Sequence, residues 1–332
     1  MNIFTWLIVK PMGFILELIY SLVQNYGAAI IIFTILIKLL ILPLNLKSQK
    51  SMAKQQKLAP QLQELQRKYA NDKEKLNKEM MELYRANGAN PASGCLPTFL
   101  QFPIIIGLYQ VIQKPLSFML GINFNLPENI NNVIEMQQIV ANTPDLAAVA
   151  PNGFTTMTME QLANNFQIAM SNFASNPAFA KFSDWIINFN FLGLDLSKYP
   201  SEAVSPLLNL LMGRISPSLL QTLPLLLIPI LSGLSAWLIS KVSMANTAQT
   251  SASNNSADGA ASMSQSMMLM MPVMSVFFAF TLPSGIGLYW IVSNIVQLIQ
   301  QHFTMRYFKK KEENSVVIDT IKKNRKDRKK HR

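Results

Sequence analysis

The sequence predicts an all-α polytopic membrane protein with five transmembrane helices. Half of its 332 residues are hydrophobic and only 14% are charged, a composition too apolar for a soluble domain of this size. Five apolar runs approach the length of about 20 residues that a spanning helix needs. The spans are predicted at residues 27–46, 95–116, 219–241, 267–283 and 284–304. The last two meet at Pro283-Ser284 and form a tight helical hairpin.

The first 26 residues form a sixth apolar stretch, which Lys10, Pro11 and Glu17 interrupt. Its apolar residues recur at helical spacing, and Trp6 and Tyr20 are residue types common at membrane interfaces. The stretch carries neither a lipobox cysteine nor a small-residue cleavage site. It is therefore predicted to be retained as an amphipathic helix on the extracytoplasmic membrane surface.

The distribution of charge predicts the orientation. Segment 47–94 holds ten Lys and Arg residues against five Asp and Glu, and the tail 305–332 holds twelve against four. Residues 121–216 hold three against seven. Because segments rich in Lys and Arg near span ends stay in the cytoplasm, the N-terminus and the loop 117–218 are predicted outside and the C-terminus inside.

The cytoplasmic segment 47–94 is predicted to form two antiparallel charged helices. Asn71-Asp72 has the residue types of a turn followed by a helix N-cap, and each half carries one apolar stripe. The stripes are Leu58, Leu62, Leu65 and Tyr69 in the first half and Leu76, Met80, Leu83 and Tyr84 in the second. Such a hairpin is either a solvated helix pair or a docking surface for a partner protein or lipid headgroups.

Three further segments connect or follow the spans. The loop 117–218 is polar and rich in proline, with short helices predicted at Thr158–Asn172 and Asn176–Asn188. Residues 242–266 form a low-complexity cytoplasmic loop. The basic tail 305–332 is typical of segments that bind ribosomal RNA or anionic lipid, or that only hold the topology.

The sequence carries no recognisable catalytic, metal or nucleotide site. Cys95 is the one cysteine, which excludes an intrachain disulfide, and His302 and His331 do not make a His-based metal site. No G-x-x-x-x-G-K-[ST] motif is present. We therefore predict that the protein is not an enzyme, uses no cofactor or metal and binds no DNA.

Lys38 lies in the middle of the apolar run AAIIIFTILIKLLILPLNL, which covers Ala28–Leu46. It precedes Lys47 by nine residues, and at about 1.5 Å of helix rise per residue its ammonium starts near the bilayer centre. A lysine at that depth is unfavourable by about 2.5–3.5 kcal/mol. It is either a snorkelling side chain or, in the interpretation we prefer, a charge in a water-filled cavity.

Polar residues in three spans are predicted to line that cavity. They are Thr34 and Lys38 in the first span, Gln101 in the second and the i, i+4, i+7 stripe of Trp290, Asn294 and Gln297 in the fifth. Polar groups in hydrocarbon need partners, so these stripes are expected to face one another, although each alone makes an ordinary interhelical hydrogen bond. The predicted spans contain no acidic residue, so the charge of Lys38 is free to attract a transient negative group.

Four stretches carry a resemblance to a known family. They are Asn25-Tyr26-Gly27 with TILIKLLILPL, then QKSMAKQQKLAPQLQELQRKY, ANPASGCLPTFLQFPIIIGLYQ and LPSGIGLYWIVSNIVQLIQQ. In this order they lie in the first predicted span, the hairpin, the second span and the fifth span. The sequence resembles the YidC-type membrane insertases, a family that includes the mitochondrial oxidase-assembly and chloroplast thylakoid insertases.

The resemblance implies a five-helix core whose hydrophilic groove opens to the cytoplasm and the inner leaflet and is closed toward the outside. It implies that Lys38 is the basic residue of this groove, where bacterial members usually carry arginine; lysine keeps the charge but loses the planar guanidinium fork. The other groove or substrate-contacting residues that it implies are Thr34, Gln101, Trp290 and Asn294, to which we add Tyr289 and Gln297. It also implies a multi-pass protein of the bacterial plasma membrane, without the large N-terminal domain of Gram-negative members.

The implied function is insertion and chaperoning of nascent inner-membrane proteins, with the substrate's extracytoplasmic segment held in the groove before lateral release into lipid. The implied partners are nascent membrane proteins, membrane lipids, the ribosome through the basic tail and, from the resemblance alone, the Sec translocon. One alternative is an anion transporter that uses Lys38, although no internal repeat is present. Another is a structural scaffold, which would tolerate the loss of Lys38.

Overall fold

The computed structural model describes residues 2–90, 96–144, 146, 150, 154–159, 161–162, 167, 173, 176–214, 218–248, 270, 272–304 and 306. Several predictions made from the sequence concern other residues. Cys95, most of the helix predicted at Thr158–Asn172, the low-complexity loop from residue 249 and nearly all of the basic tail lie outside the described residues.

Helices dominate the described residues. Numbered in chain order, they are α1 Lys10–Val23, α2 Tyr26–Leu40, α3 Leu42–Lys68, α4 Lys73–Ala86, α5 Leu96–Gln113, α6 Pro115–Phe118, α7 Pro127–Asn142, α8 Val204–Leu211, α9 Leu219–Thr222, α10 Leu227–Ala248, α11 Pro272–Thr281 and α12 at 284–304. A π-helical segment, Thr5–Val9, runs into α1. Strands β1 (Asn190–Phe191) and β2 (Leu194–Asp195) pair antiparallel, with Asn190 opposite Asp195.

Two helices of the described residues are long and apolar enough to cross a membrane. They are the continuous stretch Thr5–Val23 and the helix over Leu223–Ser243. A third span results if the bent pair Tyr26–Leu40 and Leu42–Met52 is taken as one, and α11 is a shorter apolar helix. These helices fit an all-α membrane protein, whereas the arrangement of five spans stays a prediction.

Large apolar side chains remain exposed along the membrane-length helices. On α10 they include Leu227, Ile230, Leu231, Leu234, Trp237 and Leu238, and on α12 they include Ile295, Ile299 and Phe303. Soluble proteins rarely expose apolar surface that is this continuous. Lipid acyl chains are the cover that such surfaces require.

The N-terminal helix α1, together with the turn before it, buries one face and exposes the other. Val9, Met12, Leu16 and Ile19 recur at helical spacing and belong to the main core. On the opposite side Leu22 is 78% exposed. This two-faced pattern suits the predicted interfacial helix, but Thr5–Val23 also has the length and hydropathy of a span. Its placement at the membrane surface therefore stays a prediction.

The predicted first span, 27–46, is divided by a bend of 58° between α2 and α3. Pro43 stands in the first turn of α3 and has no N–H with which to bond the carbonyl of Leu39, so the helix breaks at Ile41. The bend places Lys38 in the last turn of α2. It also turns the start of α3 away from the axis of α2.

The helix pair predicted between the first two spans is present as α3 and α4. Asp72 caps α4, because its Oδ1 accepts a hydrogen bond of 3.0 Å from the backbone N–H of Lys75. The ammonium groups of Lys68 and Lys75 lie 5.3 and 5.2 Å from the centroid of the Tyr69 ring, at the tip of the pair. The tip is therefore basic and ordered around one aromatic ring.

The main core joins α1, α2, α5 and α12. Its fully buried side chains include Leu16, Tyr26, Ile30, Phe33, Leu108, Ile112, Ile286 and Tyr289. A glycine brings α12 close to the start of α10: a Cβ on Gly287 would lie only 2.2 Å from Cγ2 of Ile228. Small residues at such crossings let helix backbones approach within a membrane.

The loop 117–218 folds around a second core of its own. Helix α7, which the sequence analysis missed, contributes Val133, Met136 and Val140 to this core at helical spacing. The predicted helix Asn176–Asn188 is instead a 3-10 segment, Pro177–Trp185. Its Phe179 and Phe182 are three residues apart and both buried, a separation that a three-residue turn places on one side.

The strand pair is a second departure from the all-α prediction. Its turn is Leu192-Gly193, and both residues have positive φ, 51° and 80°. Positive φ at both central residues is the signature of the type I′ turn that closes two-residue hairpins. The turn falls between apolar residues without an Asn-Gly or Asp-Gly signal, so the sequence pattern did not reveal it.

Candidate functional site

Lys38 is buried near the C-terminal end of α2. Its side chain is 4% exposed, and its Nζ donates to Oε1 of Gln297 on α12 across 3.5 Å. Within the part of the chain that the structure describes, no carboxylate forms an ion pair with it. Among these residues the Lys38 ammonium is therefore buried beside an amide and not beside a carboxylate.

Lys38 lines a polar cavity of about 210 Å³. The lining residues are Lys38 and Ile41, then Asn45, Ser48, Gln49 and Met52 of α3, Gln101 of α5, Ser243 of α10, and Trp290, Ser293, Asn294, Gln297, Gln300 and Gln301 of α12. One of these residues is cationic and none is acidic. Hydroxyl and amide groups make up most of the rest, so the cavity suits water and polar chain segments.

Helical periodicity explains how two stretches of sequence line one cavity. On α12 the lining positions follow Trp290 at i+3, i+4, i+7, i+10 and i+11, which is one continuous helix face. On α3 the lining positions 45, 48, 49 and 52 have the same spacing. The predicted stripe of Trp290, Asn294 and Gln297 is therefore part of a longer stripe, and the bend at Ile41 lets α3 supply the facing wall.

A second, mostly apolar cavity of about 410 Å³ adjoins the first. Both cavities are lined by Met52, Gln101, Ser243, Trp290, Asn294 and Gln297. The other side chains of the second cavity are Phe102, Ile105, Ala236, Ile239, Ser240, Met274, Ser275 and Phe278. A chain segment at this junction would have amides and an ammonium on one side and aliphatic and aromatic surface on the other.

Contacts behind the lining fix Gln101 and Trp290 at the junction of the two cavities. Nε2 of Gln101 donates to the hydroxyl of Tyr289, which ties α5 to α12. The Trp290 ring stacks on Phe278 with centroids 5.7 Å apart and planes at 17°, which ties α12 to α11. Both residues are thus held by neighbours rather than free to rotate.

Serines on α10 hold the remaining wall. Nδ2 of Asn294 donates to Oγ of Ser235 across 3.0 Å. One turn away, the hydroxyls of Ser232 and Ser275 lie 2.8 Å apart, which joins α10 to α11. These bonds satisfy polar groups that would otherwise face hydrocarbon.

Two of the predicted groove residues do not line either cavity. Thr34 is fully buried, and its Oγ1 donates to the carbonyl of Ile30 across 2.6 Å. Its own helix thus satisfies its hydroxyl, so no cavity is needed to hold it. Tyr289 is also fully buried and lies behind the cavity lining, where its hydroxyl accepts the hydrogen bond that positions Gln101.

Two hydrogen-bond acceptors in the polar cavity were not predicted from the sequence. Among the described residues, Oδ1 of Asn45 and Oε1 of Gln300 are buried without a hydrogen-bond donor. Nε2 of Gln300 donates to the carbonyl of Lys38 across 3.4 Å. Extending the 3.6-residue stripe beyond Gln297 would have found Gln300, whereas Asn45 is placed by the bend. Both oxygens can accept hydrogen bonds from water or from peptide N–H groups.

The side chains that line the polar cavity offer one charge and many hydrogen-bonding groups. No group of three or more His, Cys, Asp or Glu side chains in the described part of the chain could hold a metal ion. The lining combines one buried cation, uncharged donors and acceptors, and an apolar neighbour. Such a site can hydrate, attract and orient a chain segment.

A family model described as 60Kd inner membrane protein matches residues 18–312. The chain belongs to this family. The match includes every residue that lines the two cavities. It confirms the resemblance to the YidC-type insertases that the four sequence stretches indicated.

Individual relatives named membrane protein insertase YidC are similar to most of the chain or to about a third of it. The protein from Dinoroseobacter shibae is 30% identical over 304 residues, which are 91% of this chain and 37% of that protein. The protein from Granulibacter bethesdensis is 50% identical over 107 residues, 32% of this chain and 18% of that protein. The protein from Oleidesulfovibrio alaskensis is 51% identical over 107 residues, 32% and 20% of the two chains. The chain therefore spans well under half the length of these relatives.

Proposed function

We propose that this protein is an insertase and chaperone for nascent inner-membrane proteins. The observation that carries the proposal is the buried Lys38 in a cavity of amides and hydroxyls, free of acidic lining residues and open to an apolar cavity. Membership in the family and the names of the relatives support the same function. No bond-making step is part of it.

The polar cavity receives the hydrophilic extracytoplasmic segment of a substrate. A charged side chain at the bilayer centre is unfavourable by about 2.5–3.5 kcal/mol. Two opposite charges 4 Å apart attract by about 4 kcal/mol at an effective dielectric constant of 20. The attraction of Lys38 for one acidic residue is therefore large enough to offset the cost of carrying that residue part-way across.

The apolar cavity receives the hydrophobic segment that follows, which then leaves sideways into lipid. At the centre of a membrane helix, Leu, Ile, Phe and Val are each favourable by about 0.3–0.6 kcal/mol. Some twenty such residues sum to roughly 6–12 kcal/mol on the same scale. This gain exceeds the cost of moving one or two charges, so transfer needs no nucleotide hydrolysis.

The rest of the chain serves this cycle in a bacterial plasma membrane. Five spans place the N-terminus and the loop 117–218 outside and the C-terminus inside. The cytoplasmic helix pair α3 and α4 meets the substrate first, and the basic tail keeps a ribosome nearby and so raises the local substrate concentration. The protein works beside the Sec translocon, and the groove opens to the cytoplasm and the inner leaflet.

The test is insertion into liposomes that contain only this purified chain. A short single-span substrate with an acidic outer tail is translated alongside, and protease protection of the tail is scored for wild type, Lys38→Arg and Lys38→Ala. We expect wild type and Lys38→Arg to insert and Lys38→Ala to fail. Lys241→Ala is the matched control, because it removes a lysine from α10 that lies over the Trp237 ring and outside both cavities.

Each contrary result has a distinct meaning. Equal insertion by all variants would contradict the role of the Lys38 charge. Absence of insertion by wild type would favour a scaffold, and movement of small anions in a flux assay on the same liposomes would favour a transporter.

A further inference from the structure

Part of the loop 117–218 lies across the ends of the four core helices α1, α2, α5 and α12, at the end of α2 opposite to Lys38. We call residues 187–199, which contain β1 and β2, the outer hairpin. Its Ile187, Phe189 and Leu196 are at most 3% exposed and belong to the main core, not to the loop's own core. This segment is therefore packed as part of the helix bundle.

The outer hairpin covers the start of α2. A Cβ on Gly27 would lie 2.1 Å from Cγ of Phe191, so the Phe191 ring rests directly on the helix backbone. The Phe189 ring meets the Tyr26 ring edge-on, with centroids 4.5 Å apart. The Phe191 ring thus fills the space that Gly27 leaves open, and the Phe189 ring covers Tyr26 beside it.

The outer hairpin also caps the start of α12. The backbone N–H groups of Ser284 and Gly285 donate to the carbonyls of Lys198 and Leu196, each across 2.9 Å. The first N–H groups of a helix have no partner within the helix. In this protein a distant loop supplies the acceptors, so the end of α12 is complete only when the outer hairpin is in place.

Two further bonds attach the outer hairpin to α5 and α1. Nε2 of Gln113, the last residue of α5, donates to the hydroxyl of Tyr199. The N–H of Asn188 donates to the hydroxyl of Tyr20 across 3.1 Å. The outer hairpin thus contacts all four helices of the main core, α1, α2, α5 and α12. This buried core lies between the outer hairpin and the polar cavity.

We propose that the outer hairpin is the permeability seal of the protein, which stops water and small ions from passing between the polar cavity and the outside. Gly27 precedes Lys38 by eleven residues, about 16 Å of helix. The fully buried Ile30 and Phe33 lie within that interval, and the fully buried Tyr26 directly precedes it. A hydrated cavity that reaches half-way across a bilayer needs such a dry layer, and the outer hairpin closes its outer end. The seal proposal rests on the proposed function in one respect only, namely which side of the membrane the polar cavity faces.

The first test measures ion leak in liposomes that contain the purified chain and a trapped halide-sensitive dye. Phe191→Gly should raise the rate of halide entry several-fold, because it uncovers Gly27, whereas Phe191→Leu should stay close to wild type. Leu192→Ala is the matched control: the residue lies in the same turn but is 87% exposed. Equal leak by Phe191→Gly and Leu192→Ala would overturn the proposal.

The second test uses thiol accessibility and does not depend on overall leak. In a Cys95→Ser background, Ile30→Cys should resist a membrane-impermeant maleimide added to intact cells, and the added change Phe191→Gly should make it reactive. Labelling of Ile30→Cys with Phe191 intact would overturn the proposal. If the protein prevents ion leak but does not insert substrate in the same liposomes, only the proposed function is contradicted. If the protein inserts substrate, while the Phe191→Gly variant neither leaks ions nor exposes the cysteine to maleimide, only the seal is contradicted.

Discussion

Nζ of Lys38 on α2 lies 3.5 Å from Oε1 of Gln297 on α12, so a cation and a neutral amide face each other across the polar cavity. An amide oxygen accepts a hydrogen bond from the ammonium without cancelling its charge. A carboxylate at the same place would form an ion pair and satisfy the charge internally. The pairing therefore keeps Lys38 ordered and still available to a third group.

Placing a carboxylate beside Lys38 should suppress insertion. Gln297→Glu adds a built-in counter-ion within ion-pair distance, which competes with an acidic substrate segment for the lysine. Losing about 1.4 kcal/mol of attraction weakens binding tenfold. This energy is about a third of the Coulomb attraction between two opposite charges 4 Å apart at an effective dielectric constant of 20. The measurement is insertion of acidic-tailed and neutral-tailed versions of one substrate, and the acidic version should lose more.

The control for this prediction is Gln297→Met, which removes the acceptor without adding charge. It should retain most of the insertion of the acidic-tailed substrate. If Gln297→Glu and Gln297→Met behaved alike toward the two substrates, electrostatic competition at Lys38 would be the wrong explanation.

The hydrogen bond between Asn294 and Ser235 should contribute measurably to helix association. Asn294→Ala, Ser235→Ala and the double variant form a thermodynamic cycle, read from unfolding in detergent or bicelles. Interhelical hydrogen bonds in membranes couple by about 0.6 kcal/mol on average, with values up to about 1.7. We expect a coupling in this range for this pair and none between Asn294→Ala and Ser21→Ala, since Ser21 bonds its own helix at Leu18. A coupling of zero for the bonded pair would contradict the contact.

The crossing of α12 and α10 at Gly287 should tolerate no larger residue. A Cβ on Gly287 would lie 2.2 Å from Cγ2 of Ile228, and overpacking of this kind costs about 1–3 kcal/mol. Gly287→Ala should therefore lower the unfolding temperature. In an Ile228→Ala background the same change should cost much less, because the clashing methyl is gone. An equal cost in both backgrounds would show that the clash is not the cause.

The cap of α4 should set the local stability of the helix pair α3 and α4. Asp72→Ala removes the acceptor of the Lys75 N–H, a loss of about 1 kcal/mol. Amide hydrogen exchange in the first turn of α4 should accelerate about fivefold, the factor that 1 kcal/mol gives. Asp72→Asn keeps a capping oxygen and should exchange at nearly the wild-type rate; exchange as fast as in the alanine variant would count against the cap.

The parts of the site that were predictable from sequence are those governed by one helix at a time. The 3.6-residue period places Trp290, Asn294 and Gln297 on one face, and a lysine in an apolar run such as that around Lys38 needs water, a counter-charge or another partner. Gln101 was predictable for a similar reason, because a side-chain amide in an apolar run needs a hydrogen-bond partner. The structure brings all five of these residues to the same cavity.

The parts that were not predictable depend on contacts between distant segments. Asn45 looks like an interfacial residue at the end of a span until the bend at Ile41 turns it toward α12. Thr34 has a polar side chain on the right stretch, yet its bond to Ile30 withdraws it from the cavity. The backbone carbonyls of the outer hairpin accept hydrogen bonds from the first N–H groups of α12. No local sequence pattern near Leu196 reveals this contact.

The most direct test of the central claim is site-specific photo-crosslinking to a ribosome-stalled substrate. A photoreactive residue at Gln297, in the polar cavity, is compared with one at Phe303, which is on the same helix but 65% exposed outside both cavities. We expect position 297 to crosslink to the hydrophilic outer segment of the substrate and position 303 not to do so. Crosslinks from position 303 alone, or from neither position during active insertion, would contradict the claim that the cavity around Lys38 receives the substrate.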